Sequence, residues 1–490
     1  SALLTGQASA YLVARPNLFT FGDALLTMDS TGGDGGMGTS GRAAGGTAAG
    51  FGAAIIVSAA TDGVGFGQAV GNSFVGQAIS TGGLGAGDVR AASNRGFSLL
   101  SAVGGSITLA NATFIDGGMA AHQDGIFSAI ESGNGFVLVT GLADVDVDGD
   151  FGLLGYAGGD IELENLNVVA GGTILFDDPG APGSTTPDVI TVNQDAIAVL
   201  GGDFTIAEDV IIGGLFDLTA GGSINTLGIT AGAGITLRSG GPISTGNLLS
   251  IGNIAVTGMS NAATGIPASI VTGSITSQSG LINIASDIGD ITLGDLTSPN
   301  AITINAGNGS TSSNAGGDIS VGAVQGSEVS IFGTSNLTTG AITATGSLAL
   351  NLVGTITSGN IATGAGASPI SQNGGIDTGD IQAGSDLFIN TNGAIRTGNI
   401  TTGGNARLAS GDINTLAGGS SISVGNVVSQ GQSDIRGFGQ IQTGNISAIS
   451  LNMFSRTGIV TGDLSVSNGL ISLGATPDSG GPNANITTGL

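Results

Sequence analysis

Six near-identical phrases in the second half of the chain constrain its fold more than any other feature. Each reads as an apolar residue, a spacer, Thr-Gly or Ser-Gly, Asn or Asp, and an apolar residue again. The copies are Ile243-Ser-Thr-Gly-Asn-Leu248, Ile356-Thr-Ser-Gly-Asn-Ile361, Ile376-Asp-Thr-Gly-Asp-Ile381, Ile395-Arg-Thr-Gly-Asn-Ile400, Ile441-Gln-Thr-Gly-Asn-Ile446 and Ile459-Val-Thr-Gly-Asp-Leu464. Looser copies surround Ile224, Ile270, Ile291, Ile319, Leu337, Ile422 and Ile486. The leading apolar residues recur about every 19 residues, with longer gaps of about 27 or 28. A fixed short period marks stacked repeats, in which no single unit can bury its apolar face alone.

Between the phrases lies a second apolar pair at alternate positions: Ile302 and Ile304, Leu348 and Leu350, Leu387 and Ile389, Leu451 and Met453. Alternation is the strand period, and the runs are short, rich in Ile, Val and Thr, and bounded by Gly, Asn, Asp and Ser. About 19 residues hold three strands of roughly four residues and three tight turns. The expected fold is therefore all-β, a parallel β-solenoid with one coil per repeat. The phrase would form a corner, with Gly supplying left-handed backbone and Asn or Asp tolerating it. Stacked coils would set Thr over Thr and Asn over Asn, with side-chain amides bonded along a ladder. The longer gaps equal one coil plus a loop, expected from Ser310 to Gly316 and from Thr476 to Pro482.

Three parts of the chain differ in texture. Residues 1–95 are Gly- and Ala-rich, residues 96–220 carry strand phrases with long insertions, and residues 221–490 hold the regular repeats. In the middle part, Ser106-Ile-Thr-Leu-Ala-Asn111, Asp160-Ile-Glu-Leu-Glu-Asn165 and Asp203-Phe-Thr-Ile-Ala-Glu208 each look like a coil edge. Successive ones of the three are far enough apart for two coils, or for one coil with a large insertion. The start at Ser1 without Met and the end inside a repeat copy, Asn485-Ile-Thr-Thr-Gly-Leu490, read as a processed or partial piece of a longer polypeptide.

Charge narrows the partners. Nine basic residues, all Arg, face 35 acidic ones, for a net charge of -26. Such a surface repels nucleic acid and anionic membranes. No apolar run is long enough for a membrane-spanning helix. Cysteine is absent, which suits a chain exported unfolded through a narrow pore, since a disulfide-closed loop would not pass.

The repeat phrases, together with Leu218-Thr-Ala-Gly-Gly-Ser-Ile224 and Ile229-Thr-Ala-Gly-Ala-Gly-Ile235, resemble the filamentous haemagglutinin-like exoproteins of Gram-negative bacteria. The resemblance covers roughly residues 100–490 and is one of repeat style. Arg15-Pro-Asn-Leu-Phe-Thr-Phe-Gly22 is similar to the Asn-Pro-Asn secretion motif of that family, with Arg in place of the first Asn. The resemblance implies a right-handed parallel β-helix, secreted by a two-partner route, that serves in adhesion, surface display or biofilm building. Its partners would be host or neighbour cell-surface glycans, or other copies of itself.

Candidate sites are few. Asp144, Asp146, Asp148 and Asp150, in Asp144-Val-Asp-Val-Asp-Gly-Asp150, match the first half of a calcium loop, with acids at positions 1, 3 and 5 and Gly at 6. Position 12, a bidentate Glu in such loops, is Gly155. The competing reading is a strand with Val145 and Val147 inward and the aspartates in water. Calcium is the one cofactor in view. Polysaccharide cleavage on a β-helix would need clustered carboxylates or a basic residue beside calcium; there is no Lys and one histidine, His122, so the expectation is no enzyme. Arg396, Arg407, Arg436 and Arg456 fall in nearby coils and would form a shallow basic stripe or lie scattered in solvent. The Thr of the phrase does not give the two outward Thr per coil of an ice-binding array. The reading is a surface adhesin or structural fibre component. A head-to-tail polymerised filament is the alternative, and a polysaccharide-binding or polysaccharide-cleaving β-helix the second.

Overall fold

A computed structural model describes residues 189–489, with side chains from Ile190, apart from 207–208, 261–266, 308–315, 412–419 and 476–484; before residue 189 it describes backbone strands alone. The described residues form a parallel β-solenoid of about 13 turns and three parallel sheets, without a helix. Backbone contacts divide the chain into two compact units, Ser1–Ser250 and Ile251–Leu490.

Each regular coil of the second unit has three strands. A lead strand such as Ile356–Ser358 is followed across the Gly-Asn corner by a second strand, Ile361–Thr363, and then by a long strand, Ala367–Ser371. The expected strands of equal length are instead two of three residues and one of five. Both short strands are buried, exposed, buried or nearly so, which turns two side chains inward from each. Each long strand turns in three. Small hydroxyl residues take the last inward place of many strands, as Ser358, Thr363 and Ser371 do.

The register bears out the repeat. Ile356, Ile376, Ile395, Ile422, Ile441, Ile459 and Ile486 stand over one another in successive lead strands. Ile270, Ile291, Ile319 and Leu337 extend the same column, so the looser copies are true repeats. The alternate pairs Leu348 and Leu350, and Leu387 and Ile389, are buried on the long strands. Each such Ile or Leu contributes about 1.5–3 kcal/mol relative to exposure.

In the first unit Ile224 pairs with Ile243 in the same way. Here the aromatic content enters the core: Phe204 and Phe216 are buried with ring centroids 6.3 Å apart. The strand Val137–Val147 lies between Ile107–Asp116 and Ile161–Ala170. The gap from Ser106 to Asp160 is thus two coils and not one coil with an insertion. Phe204–Ile206 pairs instead with Ile174–Asp177, so the third phrase is a lead strand and belongs to a different sheet.

In the second unit, coils longer than the period carry their extra residues at one corner. Ordinary coils pass from long strand to lead strand in two to four residues, Val353–Thr355 for example. The extended ones depart after Gly258, Ala306, Ser410 and Ala475, each the end of a long strand. Most of the two expected loops, 310–316 and 476–482, lies outside the described residues.

Candidate functional site

The phrase itself is architecture, and its chemistry differs from the expected amide ladder. At the corner between lead and second strands, each Asn or Asp side chain accepts from a backbone N–H of the next coil. Asn360 Oδ1 accepts from Asp380 N at 2.9 Å, Asp380 from Asn399 at 2.7 Å, and Asn399 from Asn426 at 2.9 Å. Asn426 then accepts from Asn445 at 2.8 Å, and Asn445 from Asp463 at 2.9 Å. Because the acceptor is the Oδ1 that Asn and Asp share, the two interchange. The other corners repeat the device, through Asp386 and Asn405 before the long strand and through Asp290, Asp318 and Asn336 before the lead strand.

The corner glycines correct a second expectation. Among the described residues, positive φ occurs at Gly307, Gly411 and Gly458, none of them the phrase glycine. What the phrase requires is room. A Cβ on Gly379, Gly398, Gly444 or Gly462 would press on the Oδ1 of the Asn or Asp one coil before, inside van der Waals contact. The Thr before most of these glycines is correspondingly inward: Thr245, Thr378 and Thr443 are buried, with the hydroxyl donating to the following Gly carbonyl at 3.1–3.2 Å. Leu293, Val321 and Val424 take the same buried position. These threonines therefore form no outward array.

A third link was not expected. The hydroxyl ending a long strand donates to a Gly carbonyl of the preceding coil and accepts a Gly N–H of its own turn. Ser371 does so to Gly354 O at 2.6 Å and from Gly374 N at 3.0 Å, Ser455 to Gly439 O at 2.8 Å and from Gly458 N at 3.0 Å.

Of the expected sites, Asp144 and Asp146 lie in the strand Val137–Val147, with side chains outside the described residues. Asp148, Asp150, His122 and the segment from Arg15 to Gly22 also lie outside them. Of the four arginines, Arg396 stands on a lead strand, whereas Arg407 and Arg436 are on the long-strand face and Arg456 just beyond it.

Arg436 and Arg456 line, with Phe438 and Phe454, a cleft of about 360 Å³ beside the corner from which the extended coils depart, and Arg407 is not part of that lining. The outward column of the long strands reads Asn390, Ala409, Arg436, Phe454, Gly474. Ala409 is 6% exposed although it points outward, and it forms part of the lining. Gly411, at φ 97°, leaves room for Phe438, whose ring lies where a Cβ on Gly411 would project. The guanidinium of Arg456 stacks over Phe438 at 4.5 Å, as Arg407 stacks over Phe388 at 5.2 Å. Asp434, beyond the lining, holds two of its members, accepting from Arg436 Nε at 2.8 Å and from Asn452 Nδ2 at 3.0 Å. Alignment of the repeats on their Ile columns would have placed Arg436 beside Phe454; the meeting of Phe438 with Gly411 depends on backbone that no period encodes.

No protein-family model matches the chain, and neither the curated proteins nor the solved structures searched give a match.

Proposed function

We propose that the chain is a secreted, cell-surface β-solenoid acting as an adhesin or structural component of an extracellular matrix, of the filamentous haemagglutinin-like kind, without enzymatic activity. The observation that carries this reading is the use of all three corners for links between coils: Asx side chains to backbone N–H groups, and hydroxyls to Gly carbonyls. Links of this kind stiffen the stack of coils within the second unit, where the additions are gathered at one corner. Adhesion fits this arrangement because binding groups sit best on loops held by a rigid frame.

A second reading, head-to-tail assembly into a filament, has its own support. Leu470 is 82% exposed, and Ile471 and Ile486 are exposed where Leu451 and Ile459 of the preceding coil are buried. Further coils, whether of the same chain or of a second copy, would cover these residues. Negative-stain microscopy separates the two. Isolated particles of one chain, together with binding of the purified protein to cells or glycan-coated beads, support the adhesin. Filaments longer than one chain support the polymer. Steady turnover of a polysaccharide by the purified chain would overturn both.

A further inference from the structure

We propose that the cleft between Arg436, Phe454 and Phe438 binds a carboxylated pyranose, a uronate-type residue of an acidic glycan. The surrounding protein is strongly acidic, at -26 overall, so a place where guanidinium groups converge selects by short-range geometry and not by a long-range field. Arg436 donates through Nε to Asp434, and among the described residues its Nη groups have no hydrogen-bond partner. A guanidinium anchored on one edge presents the other as a planar two-pronged donor, the shape that matches a carboxylate. The neighbouring ring of Phe454 and the Phe438 ring backed by Arg456 offer apolar faces of sugar-ring size. Asn452, held through Nδ2 by Asp434, keeps its side-chain oxygen for a hydroxyl group. The volume, about 360 Å³, is at the small end of ligand pockets and suits one or two sugar rings. A phosphate dianion would fit the guanidinium but would leave the ring faces bare and meet twice the repulsion.

The inference deepens the adhesive reading and rests on it for where such a glycan would be met. Binding is read in solution, so its failure leaves the microscopy result standing, and the reverse holds too.

The test is calorimetric titration of the purified chain with trigalacturonate, its methyl ester and inorganic sulfate. The acid is expected to bind saturably and the ester about tenfold more weakly or worse, as for loss of one charge-assisted pair. Sulfate is expected to bind far more weakly than the acid. Arg436→Ala should weaken binding about tenfold at an unchanged melting temperature, while Arg396→Ala, on another face, should leave it unchanged. Absence of saturable binding by the acid, equal binding of acid and ester, or sulfate as tight as the acid would each overturn the proposal. So would an Arg436→Ala protein that is folded and binds normally. If that variant does not fold, the comparison of acid with ester on the unmodified chain still decides.

Discussion

At Gly398 the missing side chain matters for space and not for backbone freedom. Its φ lies outside the left-handed region, and a Cβ would meet Asp380 Oδ1, the acceptor for Asn399 N. Gly398→Ala therefore sets two effects against each other. Stiffening the unfolded chain stabilises by about 0.4–1 kcal/mol, and displacing Asp380 forfeits a hydrogen bond to a charged group of about 1.5–3 kcal/mol. Exposure of the corner reduces that loss to about 1 kcal/mol, but the Cβ would also crowd backbone atoms of the preceding coil at 3.0–3.1 Å, so the thermal or urea midpoint should fall. Ser433 gives the opposite sign. Its hydroxyl is buried with no hydrogen-bond partner, in an inward column between Ala406 and Leu451. Ser433→Ala should leave the chain as stable or raise stability by up to about 1 kcal/mol; a clear loss in urea denaturation would show that the hydroxyl does bonding work.

Among elements, the corner ladder decides what the repeat tolerates. Asn399 accepts from Asn426 N and donates to Asp380. Asn399→Ala should lower the melting midpoint by the equivalent of about 1 kcal/mol, since the corner is solvent-exposed and water partly replaces the acceptor. Asn399→Asp keeps the acceptor but sets a second charge one coil from Asp380, so it should fall between wild type and Ala at low salt and approach wild type at high salt. This explains a pattern in the column Asn360, Asp380, Asn399, Asn426, Asn445, Asp463: no two aspartates are adjacent. At the other corner Asp318 does follow Asp290, one coil away. Its carboxyl is held below its ordinary value by the Ser335 hydroxyl first, then by Asn336 N–H, which outweigh burial. A depressed folded pKa adds stability above the unfolded value of about 3.9, and that stability is lost as pH falls through the folded value. The melting-temperature advantage of wild type over Asp318→Asn should thus be full at pH 7 and shrink below about pH 4. The ladder was half legible in sequence. Asn and Asp share the position visibly, but that the donor is a backbone N–H follows from how the corner turns away from sheet pairing, which no residue type announces.

For the whole molecule, 35 acidic and nine basic residues make self-repulsion the main general electrostatic effect. Ion pairs are few among the described residues: Arg238 with Asp217 at 3.0 Å and Arg436 with Asp434 at 2.8 Å. Salt should therefore stabilise the chain, with the melting temperature by circular dichroism rising between about 10 and 300 mM NaCl as the screening length shortens. A fall would mean that specific ion pairs outweigh repulsion.

The sequence by itself determined the all-β class, the coil period, the inward Ile columns and the Asn or Asp corner. Each depends on residues close in the chain or one period apart, and periodicity exposes both. Tertiary structure alone decided that the phrase glycine makes room for an oxygen of the preceding coil. It also decided that Phe438 folds over Gly411 against Arg456, and that Arg436 turns to Asp434 while Arg407 turns to Phe388. Except for Arg436 and Asp434, two residues apart on one strand, those contacts are made between coils, where stacking brings together residues about 20 or more positions apart, and competing partners are settled by geometry rather than by composition.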